Sequence, residues 1–286
     1  MGRRRLVQFA SVLLYNANLA GFARDTIFTR DIKGLCVPGL NCHSCPGAIA
    51  ACPLGSFQTA LGDVRFKLPY YILGVLLLFG ILLGRAICAF LCPFGLVQDL
   101  LHKIPTPKLR KSTVTRWLSL CKYTVLLIFV IYLPLHFLWI NGVSTPAFCK
   151  YLCPMGTLQA GIPLVLAHES LRAITGVLFQ WRLLWLGVIL VAAIFIFRPF
   201  CRFLCPLGAI YSLFNKYALF GIKVNDHRCT GCRACTNSCK LDVRKINDRE
   251  CIRCGDCRPV CKHKAIVYKR KEASFVKEFS DKDEEI

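Results

Sequence analysis

The sequence predicts a membrane all-α protein: a duplicated transmembrane helical bundle with re-entrant half-helices, followed by a small C-terminal α+β domain. Three observations carry this. Apolar stretches recur at about 6–23, 68–91, 117–139 and 178–199, each near the ~20 residues that span a bilayer. Cys-Pro-x-Gly units punctuate them four times. The composition then changes near residue 221: residues 1–221 hold 21 Lys+Arg against five acids, whereas residues 222–286 hold 16 against 11 and no long apolar run. The expected domains are a transmembrane domain over 1–221, a small soluble domain over 222–268 and a mobile charged tail over 269–286.

The first stretch is the most polar, with Gln8, Asn16 and Asn18 inside it. Arg3, Arg4 and Arg5 ahead of it also fit the start of a signal peptide. The second and fourth stretches are the cleanest spans. Two shorter stretches, 46–61 and 152–167, are too short to cross and suit half-helices, which survive at membrane depth only when packed in protein. Loop charge sets the expected orientation. Arg3–Arg5 precede the first span, and Lys103, Lys108, Arg110, Lys111 and Arg116 fill the loop before the third. Both would be cytoplasmic by the positive-inside rule, and four spans return the C-terminal domain to that side. The same basic loop suits anionic lipid or an acidic redox partner.

The formal charge is +21, 55% of residues are hydrophobic, mean hydropathy is +0.49 and there are 19 cysteines. A nucleic-acid binder explains the charge but not the hydropathy. A secreted disulfide scaffold is short and less apolar, and an ordinary transporter does not need the thiols. A membrane protein whose thiolates bind metal accounts for all of these. No nucleotide fingerprint or phosphate loop is present, and without a Cys-x2-Cys-His motif c-type haem has no attachment site.

The punctuating units are Cys52-Pro53-Leu54-Gly55, Cys92-Pro93-Phe94-Gly95, Cys153-Pro154-Met155-Gly156 and Cys205-Pro206-Leu207-Gly208. Gln58, Gln98 and Gln159 follow the first three at one offset, where the fourth has Tyr211. Cys88, Cys149 and Cys201 stand four residues upstream of the last three, and Arg85 and Arg198 lie three residues before two of these. The chain therefore reads as a duplicated unit over about 36–100 and 142–213. Cysteines at i and i+4 share a helix face, so Cys88/Cys92 and Cys201/Cys205 together offer the four thiolates of one [4Fe–4S] cube. Arg85 and Arg198 recur at one offset, which suits neutralisation of an anionic cluster. Cys149 and Cys153 would pair with Cys52 plus Cys45 or Cys42 in a second membrane cluster. Alternatively, Cys36, Cys42, Cys45 and Cys52 bind a cluster alone, or some form a disulfide. Cys121, inside the third span, reads as a small packing residue.

The soluble domain contains Cys229-x2-Cys232-x2-Cys235-x3-Cys239 and Cys251-x2-Cys254-x2-Cys257-x3-Cys261. This is the bacterial two-cluster ferredoxin pattern, in which each run's fourth cysteine serves the other cluster. Cluster A takes Cys229, Cys232, Cys235 and Cys261, and cluster B takes Cys251, Cys254, Cys257 and Cys239. The usual proline after the fourth cysteine is replaced by Lys240 and Lys262.

Together these motifs resemble the NapH/NosR-type membrane-bound polyferredoxins. The segment Cys36-Val37-Pro38-Gly39-Leu40-Asn41-Cys42-His43-Ser44-Cys45-Pro46-Gly47-Ala48 is similar to the N-terminal signature of their 4Fe-4S binding protein branch. The resemblance spans about 1–268. It implies an electron-transfer subunit of the prokaryotic cytoplasmic membrane, working between a cytoplasmic or quinol donor and a partner reductase. Quinone is then a candidate partner, with Gln98, Asp99 or His102 near the inner edge. Four Cys-Pro units depart from the two typical of NapH-like chains. The alternative readings are a CcoG-like accessory factor in metal reduction or oxidase assembly, and a redox-sensing regulator. With two methionines in the chain, copper handling is disfavoured.

Overall fold

The computed structural model describes residues 3–18, 20–24, 31–61, 69–109 and 111–268. The tail 269–286 and the expected start of the second span at Leu68 lie outside them. The described part is mostly helical, with one two-stranded sheet. The principal helices are α1 (Arg3–Tyr15), α2 (Pro53–Leu61), α3 (Tyr70–Leu83), α4 (Ala86–Phe90) and α5 (Pro93–Leu101). Next come α6 (Thr113–Asn141), α7 (Ala147–Tyr151), α8 (Pro154–Ala167), α9 (Val177–Phe195), α10 (Pro199–Phe203) and α11 (Pro206–Phe214).

Among the described residues, α6 and α9 are the two helices long and apolar enough to cross a bilayer. Both turn most of their surface outward, exposing Leu127, Trp139, Leu184, Val188 and Val191. The expectation of four spans is thus met by two helices of sufficient length. The other two stop early where distant residues take over their hydrogen bonding. The first helix ends at Tyr15, where Asn16 and Asn18 leave the helical pattern and Asn18 N–H donates to Gly47 O. The helix α3 has 14 residues and stops at Gly84, whose φ of +53° a side chain would strain. The side-chain oxygen of Asn215 accepts the N–H of Arg85 just beyond, and α4 starts on a new course. The half-helix expected over 46–61 is the nine-residue α2, and that over 152–167 is α8. Within α6, Pro134 lacks an N–H to donate, and the helix widens to i→i+5 bonding over Leu126–Tyr132. Cys121 is exposed on α6 rather than packed.

One local architecture occurs three times. A short helix carries a cysteine at its third position and, after a single residue beyond its end, a second cysteine caps a helix that opens with proline. The pairs are α4/α5, α7/α8 and α10/α11. Each short helix closes alike. The carbonyl before the upstream cysteine accepts two N–H groups: Ile87 from Leu91 and Cys92, Phe148 from Leu152 and Cys153, Phe200 from Leu204 and Cys205. Proline at the first helical position then needs no N–H partner. A long helix, α6 or α9, precedes two of the three pairs.

The small domain is tied at its ends by β1 (Ile222–Val224) and β2 (Ile266–Tyr268), antiparallel with Val224 opposite Ile266. It is docked on the helical domain by buried polar contacts. Asn215 donates to Asp248 O at 2.6 Å and Cys251 O at 2.8 Å. Arg85 pairs with Glu250 at 2.8 Å, and Lys122 pairs with the same carboxylate. Arg202 pairs with Asp242, and the loop residue Lys111 reaches Thr236 O.

Candidate metal centres

Nineteen free cysteines are present, and eighteen lie in or beside four groups. In the small domain, Cys229, Cys232, Cys235 and Cys261 line one cavity of about 370 Å³. A tighter cavity is lined by Cys239, Cys251, Cys254 and Cys257. Cys235, Thr236 and Ile246 form a wall common to both. The two cysteine runs share one backbone device. In the first, Gly231 and Arg233 have φ of +69° and +56°; in the second, Arg253 and Gly255 have +54° and +82°. Left-handed residues at alternate positions suit the kind of backbone nest that favours anionic iron–sulfur sites. Arg233 and Arg253 carry this at the expense of the strain a side chain meets there. Neither was marked by the cysteine spacing, because only a backbone angle reveals the role. Burial pushes the Cys254 thiol up to about 11 and the Cys257 thiol up to about 12.

The third group is Cys88, Cys92, Cys201 and Cys205, all buried in the core between α4/α5 and α10/α11. Burial pushes the Cys205 thiol well up, and the neighbouring Cys201, Cys88 and Cys92 thiols push it further. Polar groups reach these sulfurs from several directions. Gln98 Nε2 donates to Cys201 Sγ at 3.0 Å, Gly208 N–H donates to Cys205 Sγ at 3.4 Å, and Leu40 and Gly95 N–H groups serve Cys92. A Cβ at Gly95 would stand 2.9 Å from Cys88 O, and one at Gly208 3.2 Å from Cys201 O. Glycine is therefore what allows each capped helix to fold back on its upstream cysteine.

The two motif arginines cross over. Arg85 donates to Cys201 O, and Arg198 donates to Cys88 O. Their charges are matched first by carboxylates. Arg198 grips Asp99 with two bonds of 2.7 and 2.6 Å, and Arg85 holds Glu250. Burial by itself would raise the Glu250 carboxyl, but the Arg85 and Lys122 cations overcome this and hold it below the ordinary carboxylate range.

The fourth group is Cys42, Cys52, Cys149 and Cys153, which line a cavity of about 390 Å³. Burial pushes the Cys42 thiol up to about 11 and the Cys153 thiol up to about 12. Cys45 turns away, its thiol donating to Gln159 O at 3.3 Å, while Cys42 N–H donates to Gln159 Oε1 at 2.9 Å. Cys36 is half-buried in a bridge to Ala51, outside the cavity. Glycines again form the walls: a Cβ at Gly55 would lie 3.7 Å from Cys149 Sγ and one at Gly156 3.8 Å from Cys42 Sγ. Arg182 lines this cavity from α9, and its buried Nε has no partner. An arginine inside the apolar run 177–195 was the available signal for it.

These donor sets fit anionic clusters. Each offers four soft sulfur ligands, and at Cys42, Cys153, Cys205, Cys254 and Cys257 burial disfavours the thiolate, a cost that bound iron would relieve. No three His, Cys, Asp or Glu side chains among the described residues close on a single-ion site. The thiols instead surround volumes suited to a larger group.

A family model described as a 4Fe-4S binding domain matches residues 68–112, 124–166 and 178–225. Each matched stretch runs from an apolar helix, α3, α6 or α9, through a Cys-Pro unit. The chain is similar to 4Fe-4S proteins and to NosR. It is 29% identical over 173 residues to the regulatory protein NosR of Stutzerimonas stutzeri, covering 57% of this chain and 21% of NosR. It is 28% identical over 160 residues to the methylamine utilization ferredoxin-type protein MauN of Paracoccus denitrificans, covering 54% and 48%. An uncharacterised protein of Methanocaldococcus jannaschii is 27% identical over 169 residues, covering 56% and 53%. The match thus spans about half the length of the last two relatives and a fifth of NosR. No solved structure matches the chain. The resemblance to NapH/NosR-type proteins is thus supported by both the 4Fe-4S domain match and the ferredoxin-type relatives.

Proposed function

We propose that this chain is an integral protein of the prokaryotic cytoplasmic membrane that carries electrons along four [4Fe–4S] sites, two in the small domain and two in the helical domain. The observation that carries this reading is the continuity of the four thiol groups. The two groups of the small domain share the wall at Cys235. The inner of these meets the helical domain through Glu250 and Arg85, next to Cys251 and Cys201. Cys92 in turn adjoins the segment that carries Cys42.

Bound cubes would supply one-electron steps at each site. This chain's residues would hold them through the four cysteines of each group, with Cys42 rather than Cys45 as the fourth ligand of the last. Arg85, Arg198 and Arg182 would offset their charge. The outward faces of α6 and α9 suit lipid, and the basic loop 102–116 suits the cytoplasmic side, which supports a cytoplasmic small domain. The partners would be a redox protein or reductase subunit on the cytoplasmic side and a quinone at the membrane edge. Anaerobic purification with iron and sulfide counts tests this. Four cubes require about sixteen irons per chain, and Cys92→Ser should remove one EPR signal. About eight irons, unchanged by the substitution, would sink the membrane sites.

A further inference from the structure

Tyr211 stands where the other three Cys-Pro units have glutamine, and its side chain does different work. Gln98 reaches Cys201 of the facing unit, and Gln159 reaches Cys42. Tyr211 is wholly buried and reaches past its own group, donating from its hydroxyl to Pro38 O at 3.0 Å. Pro38 begins a short segment that passes from one helical-domain thiol group to the other. Gly39 lies so close to Cys92 that an added Cβ would meet Cys92 Cα at 3.2 Å and Leu91 O at 3.0 Å. The Leu40 N–H serves Cys92. Cys52 N–H donates to Asn41 O at 3.1 Å, the Asn41 N–H serves the Cys52 thiol, and Cys42 follows. Over four consecutive residues the backbone thus passes from Cys92, met by Gly39 and Leu40, to the other group, where Asn41 serves Cys52 and Cys42 is a member.

We infer that Tyr211 is a positioning residue that pins the Gly39–Cys42 segment as the bonded bridge for electron passage between the Cys88/Cys92/Cys201/Cys205 site and the Cys42/Cys52/Cys149/Cys153 site. The electron leaves one site and enters the other; the phenol is neither oxidised nor deprotonated. Replacement by the glutamine of the other units would shorten the side chain and release Pro38. The inference rests on the proposed membrane sites.

The test uses anaerobically purified, full-length holoprotein in detergent, as wild type, Tyr211→Phe and Tyr211→Leu. Iron is counted first. Samples are then mixed with dithionite, freeze-quenched and followed by EPR for arrival of the electron at the second helical-domain site. The magnetic broadening between the two reduced sites is read from the same spectra. Tyr211→Phe keeps the ring and loses the bond to Pro38. It should retain wild-type iron, leave the small-domain signals unchanged and slow the inter-site step several-fold, with altered broadening. Tyr211→Leu should slow that step further. Wild-type rates and broadening in both variants overturn the inference, as does loss of iron from both, which would make Tyr211 part of the fold. A wild-type count well below about sixteen irons overturns the membrane-site reading itself and is visible before any variant is compared.

Discussion

Cys42 and Cys45 stand three positions apart in one loop, and only their surroundings separate them. Cys42 faces the cavity with Cys52, Cys149 and Cys153, whereas Cys45 spends its thiol on Gln159 O. Cys42→Ser should therefore remove about four irons, while Cys45→Ser should keep the full count, as metal analysis of the two purified variants would show. Equal losses would refute the assignment. Arg182 belongs to the same scale. Its charge is invisible in cysteine spacing, yet its position on α9 brings it to Gly156 and the cavity. The thiol pairs of the Cys-x3-Cys-Pro units were legible because i,i+4 spacing is a local property of helices. Which loop cysteine completes the fourth group was not, because 36–52 has no periodicity to read.

The short helix followed by a cysteine-capped helix is the unit of construction. Its glycine is what lets the two parts close. Gly95→Ala would force a Cβ against Cys88 O, an overpacking that costs about 1–3 kcal/mol. Gly74 offers the control: it is exposed on α3 and an added Cβ meets nothing within 4 Å. Gly74→Ala should stabilise by roughly 0.5–1 kcal/mol through helix propensity alone. Thermal unfolding of the detergent-solubilised protein separates the two, and iron content should fall for Gly95→Ala only. At this scale the sequence reading was strongest for α6 and α9, whose apolar runs are long and uninterrupted. It overestimated the helices at 6–23 and 68–91. Hydropathy measures the solvent a segment tolerates, whereas the ends of α1 and α3 are set by hydrogen bonds from distant residues, Gly47 and Asn215.

For the molecule as a whole, the relation between the two domains is electrostatic. Glu250 sits between Arg85 and Lys122, both buried. Glu250→Ala would leave two buried cations without their partner, a loss of about 3–5 kcal/mol. It should appear as faster protease cleavage near 215–225 in the folded protein. An unchanged cleavage rate would show that Asn215 and Arg202 suffice to dock the module. The Glu250 carboxyl is held low, so its contribution is complete above the ordinary carboxylate pKa of about 4.3. It is lost only as pH falls through the depressed folded value. The module should therefore stay docked in mildly acidic buffer and loosen below that range.

By itself the sequence determined the chemistry and its grouping by type: eight cysteines in ferredoxin spacing, Cys-x3-Cys-Pro pairs with arginines and glutamines at fixed offsets, and a basic face set against apolar runs. These are local patterns, written in spacings of a few residues. Only the tertiary structure decided which groups neighbour one another. It brought Arg85 to Cys201 O and Arg198 to Cys88 O, set Arg182 against the second helical-domain group, and laid Gly39–Cys42 between two thiol sets under Tyr211. Such neighbours lie tens to more than a hundred residues apart in the chain. Their meeting depends on how whole helices pack around buried charge, which no local pattern encodes.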